Sequence, residues 1–183
     1  EKASKKSKGK KGIRKEGFQF VLFGLTGKGK TQLLTSLTNV KTTIKGTMFS
    51  TKESEIGTFE FQGVKAQIVD TPSIGSGHFD SGIINNADCL LIVIENLEEI
   101  EEVSKYLARA TTKRIIIVNK NDNYDEEEKR KMIERMKSKK IIGFFVSALT
   151  KDGFDALKNE MLSKMNIIRI YLKEPGKKAK DLP

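Results

Sequence analysis

Apolar residues in this chain fall into short runs separated by amphipathic or polar stretches. Phe18–Phe23 is apolar nearly throughout, the pattern of a strand covered on both faces. Thr31–Thr38 carries Leu33, Leu34 and Leu37 at helical spacing. Thr58–Phe61 and Val64–Val69 predict a hairpin pair turning at Gln62-Gly63, and Ile83–Ala87 a short helix. Cys89–Ile94 is a second fully apolar strand. A helix over Leu97–Ala108 follows, with Leu97, Ile100, Val103, Tyr106 and Leu107 on one face. Arg114–Val118 is a β-branched strand and Tyr124–Lys137 a charged helix, acidic in its first turn and basic near its end, as the helix dipole prefers. Ile141–Val146 predicts another strand and Phe154–Met165 the last helix. Apolar strands alternating with helices call for an α/β fold, a parallel sheet with helices on both faces. Two polar stretches break the rhythm. Lys41–Glu55 has no clear period and reads as a long functional loop; Ile74–Phe79, with Gly75 and Gly77, reads as mobile.

The first strand runs into Gly24-Leu25-Thr26-Gly27-Lys28-Gly29-Lys30-Thr31, which fits G-x-x-x-x-G-K-[ST], the phosphate-cradling P-loop. Glycines let successive backbone N–H groups turn toward an anion, and the following helix points its positive end at the same place. Lys30 can reach the β- and γ-phosphates and the Thr31 hydroxyl can ligate Mg²⁺. Gly24 through Thr31, with Gln32 behind them, make up the expected phosphate set. Three further stretches end predicted strands, where ligands bind in open α/β sheets. Asp70 can hold a Mg²⁺ shell, or simply begin the Asp70-Thr71-Pro72-Ser73 turn. Asn119-Lys120-Asn121-Asp122 fits N-K-x-D. The Asp122 carboxylate can accept from both N1–H and the 2-amino group of guanine, donors that adenine lacks there. Asn119 would tie this loop to the P-loop, and the Lys120 stem would pack over the base. Ser147-Ala148-Leu149 follows the next strand and can offer backbone N–H groups to the guanine carbonyl.

Composition narrows the setting. At 183 residues the chain suits one domain with a sizeable core. A single cysteine, Cys89, rules out a disulfide framework and points to a reducing, cytoplasmic setting. The apolar runs are far too short to cross a bilayer, and the basic N-terminus lacks the apolar core of a secretory signal, so no membrane role is expected. The chain opens on Glu1 rather than Met, the mark of a fragment or a processed chain. Its net charge of +10 is uneven. Seven Lys and Arg14 against Glu1 give residues 1–15 a charge of +7, and residues 173–183 carry +2, leaving a nearly neutral middle. The basic ends read either as RNA-contacting segments or as solvated linkers.

The order GLTGKGKT, DTPS, NKND, SAL resembles the translation-factor-type P-loop GTPases over residues 18–165. Among them it resembles the Obg group, and in particular the developmentally regulated GTP-binding (DRG) proteins. Asn39 and Met48-Phe49-Ser50-Thr51 sit where that group has its LTN…FTT pattern, which makes Thr51 the threonine that closes on Mg²⁺ and the γ-phosphate. The stretch from Ile168 to Lys178 resembles the opening strand of a TGS domain. The resemblance implies a small-G-protein-like P-loop NTPase sandwich of three layers, whose six-stranded sheet is mostly parallel with one antiparallel edge strand. It implies a basic tail over 1–16, a GTPase domain over 17–166 and a truncated TGS-like start over 167–183. It implies GTP and GDP as ligands, Mg²⁺ held by Thr31, Thr51 and Asp70, Lys30 and Thr51 as catalytic residues, and the ribosome, RNA or a protein effector as partners.

Departures from the family pattern qualify the activity. Ser73 stands where D-x-x-G has glycine, its N–H still available to the γ-phosphate. Ile74 stands where Ras-like enzymes carry a water-orienting Gln, so intrinsic hydrolysis should be slow. Gly27 replaces the Asn of potassium-activated relatives, and the spacing from Asp70 to Asn119 leaves no room for the helical insertion of eukaryotic members. His78 could act near the attacking water or be an exposed loop histidine. The expected function is a slow GTP-hydrolysing switch. The rival is a GTP-binding module with negligible hydrolysis that docks on RNA or protein. Asn119–Asp122 disfavours an ATPase or nucleoside kinase.

Overall fold

Strand β1 (Gln19–Phe23) is buried at every position and sits third in a six-stranded sheet. The computed structural model describes residues 14–38, 54–76, 81–107 and 111–167. After β1 come α1 (Lys30–Leu37), β2 (Glu55–Phe61), β3 (Val64–Asp70), α2 (Ser81–Asn86), β4 (Cys89–Ile94), α3 (Glu99–Tyr106), β5 (Lys113–Val118), α4 (Glu126–Ser138), β6 (Gly143–Phe145) and α5 (Phe154–Lys164). The sheet order is β2-β3-β1-β4-β5-β6, parallel throughout except for the antiparallel edge pair β2–β3. The expected fold class is therefore the observed one.

Alternation along β1 splits the core into two layers. Phe20 and Leu22 face one cluster, with Leu33, Leu34 and Leu37 of α1 and Phe154, Leu157 and Met161 of α5. Val21 and Phe23 face the other, with Ile84, Val103 and Met136 from α2, α3 and α4. Cys89 belongs to the first layer, where burial pushes its thiol up to about 12; it packs as an apolar group. Phe59 of β2 closes the same layer, fully buried and edge-on to Phe20. Phe59→Ala is expected to lower stability by about 3–5 kcal/mol, read as a fall in the urea midpoint.

Several element ends differ from the sequence expectation. Strand β2 starts at Glu55 rather than Thr58, because Glu55, Ile56 and Gly57 pair with Asp70, Val69 and Ile68. Tyr106 is exposed, leaving Leu97, Val103 and Leu107 in the core with Ile100 packed against them. Helix α4 starts at Glu126 rather than Tyr124, behind a capping box: Glu128 N–H donates to the Asp125 side chain (2.8 Å) and Asp125 N–H to the Glu128 side chain (3.0 Å). Strand β6 is half its expected length. Lys140 adopts a left-handed turn (φ 55°) and Ile141 N–H donates to Met136 O (2.9 Å), so Ile141 and Ile142 belong to the end of α4.

Lysines also fasten the amino-terminal edge of the sheet among the described residues. Lys15 Nζ donates to Asp88 (2.7 Å), just before β4, and Asp88 also accepts from Gln19 N–H at the start of β1 (2.8 Å). Lys113, first in β5, donates to Lys164 O at the end of α5 (2.9 Å).

Candidate nucleotide-binding site

The opposite, carboxyl-terminal edge gathers the loops that the sequence singled out. Gly24 passes so close to β4 that a Cβ on it would stand 2.3 Å from Val93 O. The loop then runs through left-handed Gly27 (φ 79°) and Gly29 (φ 80°) into α1. Gly29 is the N-cap of α1 and brings no side-chain oxygen to its first turn, so those amides are not consumed by a cap. Lys30 is 6% exposed. Its Nζ donates to Gly24 O (3.0 Å), Leu25 O (2.8 Å) and Ser73 Oγ (2.9 Å). Burial lowers its pKa to about 8, against the pull of the Asp70 carboxylate, with Lys28 adding to the lowering.

Asp70 pairs across from Leu22 in the β1–β3 register, which brings it beside the loop. Thr31 Oγ1 donates to Asp70 Oδ2 (2.5 Å), so an oxygen from the first turn of α1 meets one from the end of β3. Thr71 Oγ1 donates to Leu22 O (2.9 Å), fixing the turn that carries buried Ser73. Ile74 differs from expectation. Its side chain is buried in the layer with Phe23, Val69 and Ile84, and its N–H donates to Gly24 O (3.3 Å), so it serves the core rather than the surface of the site. Thr51, His78 and the stretch Met48–Thr51 lie outside the described residues, as do residues 1–13 and 168–183.

Asn119 joins three loops. Its Nδ2 donates to Lys28 O (2.8 Å), its Oδ1 accepts from Ala148 N–H (3.1 Å) and its own N–H donates to Ile94 O (2.8 Å). A Cβ at position 29 would fall 2.4 Å from Nδ2, so Gly29 serves both the left-handed turn and the space Asn119 occupies. Lys120 is left-handed (φ 61°), and a 3-10 turn over Asn121–Asn123 presents Asp122 to solvent. Behind it, Asn121 Nδ2 donates to Asp152 (2.5 Å). Ser147 and Ala148 are buried while Leu149 is exposed. The Ser147 N–H already donates to Asp152 O (3.1 Å), and Ser36 Oγ of α1 donates to Ala148 O (2.8 Å).

Two acidic residues went unrecognised in the sequence. Glu95 follows β4, which lies between β1 and β5. Its carboxylate pairs with Lys28 (3.2 Å) and with Lys120, while Glu99 also pairs with Lys28 (2.9 Å). Burial opposes the charge on Lys28, but Glu99 and Glu95 outweigh it and raise its pKa. Burial likewise opposes the charge on Glu95, but Lys120 and Lys28 hold its carboxyl below the usual value. The available signal was a charged residue ending six buried positions.

Glycine-rich loop, buried lysine, Thr–Asp pair and strand order together define a P-loop NTPase fold of the small-GTPase type. Residues 19–120 match the family described as 50S ribosome-binding GTPase, and the chain belongs to that family. It is similar to GTPase HflX of Methanocaldococcus jannaschii, 30% identical over 166 residues that span 80% of this chain and 41% of the relative. It is also similar to GTPase Obg of Ehrlichia ruminantium, 30% identical over 177 residues that span 85% of this chain and 48% of the relative. The chain thus spans under half the length of these curated relatives. Among solved structures it shares its fold with Era bound to MgGDPNP and a segment of 16S ribosomal RNA. That likeness has a TM-score of 0.68 at 21% identity and covers 93% of this chain and 63% of that one. Among the described residues no helix is long and apolar enough to cross a membrane.

Proposed function

We propose that the protein is a guanine-nucleotide switch that binds GTP and GDP and hydrolyses GTP slowly. The observation that carries this reading is Asn119, which fastens the N-K-x-D loop to the phosphate loop and to Ala148. A base-reading and a phosphate-reading element then share one edge of the sheet. The phosphate set is Gly24–Gln32 with Ser73. The base set is Asn119, Lys120 and Asp122, with Ser147, Ala148 and Leu149. Binding of GTP, GDP and ATP with Mg²⁺ by titration calorimetry tests it. GTP and GDP should bind, with ATP weaker by a factor on the order of 10⁴; equal affinity for ATP would overturn it.

The Thr31 hydroxyl and the Asp70 carboxylate form an all-oxygen pair that suits a hard cation, so these two would hold Mg²⁺; Thr51 joins them on the sequence resemblance alone. Bound there, Mg²⁺ would neutralise charge on the transferred phosphoryl group. Lys30 stabilises the same charge. Ile74 supports slow turnover: its side chain is aliphatic and packed into the core, so it orients no water. Fast GTP turnover by the isolated protein would contradict this. Ile74 equally favours a second reading, a GTP-holding module with negligible hydrolysis that docks on RNA or protein. Single-turnover hydrolysis with and without ribosomes separates the two.

The DRG-like and TGS-like readings rest on the sequence resemblance, as do the divisions at 1–16, 17–166 and 167–183. Docking on ribosomal RNA is supported by the family's description, by the RNA seen with Era and by the basic ends.

A further inference from the structure

We propose that Glu95 is a positioning residue for base selection, splinting the guanine-reading loop to the phosphate loop. This rests on the guanine-nucleotide reading above. Strand order leaves β4 between β1, which delivers the phosphate loop, and β5, which delivers the base loop. The residue after β4 therefore stands between the two loops, and here it is a carboxylate that reaches both. On the phosphate side it pairs with the Lys28 ammonium (3.2 Å), whose backbone carbonyl is already held by Asn119. On the base side it grips the loop on both flanks of Asp122: its carboxylate pairs with Lys120, and its backbone carbonyl accepts from Tyr124 Oη (2.6 Å). Its own N–H donates to Glu99 (3.3 Å), so the backbone that aims it is fixed in turn.

Charge explains why a carboxylate suits this place. Lys28 and Lys120 converge on one spot and would repel each other there. Glu95 gives both a shared counter-ion, and Glu99 takes a second contact with Lys28 (2.9 Å). A neutral side chain could fill the space without holding the two ammonium groups together. Asp122 itself is exposed, so its aim depends on the anchorage of Lys120 and Tyr124 on either side of it. Glu95 touches no reacting atom; it acts through these neighbours.

The test is a double-mutant cycle on the full 183-residue chain, reading equilibrium affinity for GTP, GDP and ATP and thermal unfolding without nucleotide. Glu95→Gln should weaken GTP and GDP by about tenfold, the size of one charged hydrogen bond, and weaken ATP much less, so that the preference for guanine narrows. Glu95→Asp should recover part of that preference. In the Glu95→Gln background, Lys120→Met should lose clearly less than in the wild type, because the two changes break one contact. Tyr124→Phe, which deletes only the hydroxyl, gives an independent reading and should narrow the preference about threefold, less than the loss of a charged contact. An unaltered preference in Glu95→Gln and Tyr124→Phe overturns the proposal. So does a loss shared equally by GTP and ATP, or strict additivity with Lys120→Met. Wild-type protein that binds ATP as well as GTP overturns the guanine reading instead, which keeps the two failures distinct.

Discussion

Lys30→Met is expected to remove tight nucleotide binding and yet make the protein harder to unfold. The ammonium is 6% exposed and is held by two carbonyls and the Ser73 hydroxyl. Those neutral partners do not repay its lost hydration, which is why its pKa falls from 10.5 to about 8. A depression of that size corresponds to about 3 kcal/mol of strain on the charged form. Methionine has a similar reach and no charge. It forfeits the hydrogen bonds to Gly24 O, Leu25 O and Ser73, which offsets part of the gain. A net rise of about 1 kcal/mol should remain, or roughly 2–4 °C in Tm at pH 7. The pH dependence identifies the cause. Between pH 8 and 10.5 the unfolded chain binds the Lys30 proton more tightly than the folded one, so wild-type stability climbs toward that of Lys30→Met across this window. Below about pH 8 the difference should be constant. On the proposed nucleotide reading, affinity should fall at least about 100-fold, because the charge that burdens the fold is the one assigned to the phosphates. Thermal unfolding at a series of pH values and GTP titration read both halves. A Lys30→Met protein less stable than wild type at pH 7 would mean that the three hydrogen bonds outweigh the burial.

Asp122→Asn should shift selectivity from guanine to xanthine. The carboxylate is exposed at the tip of the Asn121–Asn123 turn, where it is available to a ligand. An amide there presents one acceptor and one donor, which mismatches the two donors of guanine and suits the extra carbonyl of xanthine. GTP affinity should fall by a factor on the order of 10³–10⁴, while XTP gains. Because Asp122 is exposed, its replacement should leave Tm without nucleotide within about 1 °C. Intact GTP affinity in Asp122→Asn would show that the base is read elsewhere.

The parts of the site that the sequence made legible are those whose physics is local. Gly24–Thr31 carries its geometry in its own glycines, and Cys89–Ile94 declares a doubly covered strand by composition alone. The place of Asn119–Asp122 at the end of β5 was legible because the four residues directly follow an apolar strand. Glu95 was not, because its meaning comes from Lys28 and Lys120, which sheet order brings to it across 67 and 25 positions. Ile74 was misplaced for a related reason. Its position in a motif suggested a place beside phosphate, whereas its burial with Phe23 and Val69 follows from tertiary packing. Ile141 and Ile142 extended an apolar run, but a left-handed Lys140 gave them to the stop of α4. The partners of the Ser147 and Ala148 N–H groups, Asp152 O and Asn119 Oδ1, were likewise beyond the sequence, since both are set by how the loops meet.

The anchoring of Lys15 on Asp88 and of Lys113 on the end of α5 has a mechanical consequence. The chain enters β1 and leaves α5 at the amino-terminal edge of the sheet, so both points stand from the phosphate loop by the length of a central strand, roughly 15–20 Å. A pull applied at either point reaches the phosphate loop only along β1 or around the sheet's rim, as through a stiff rod.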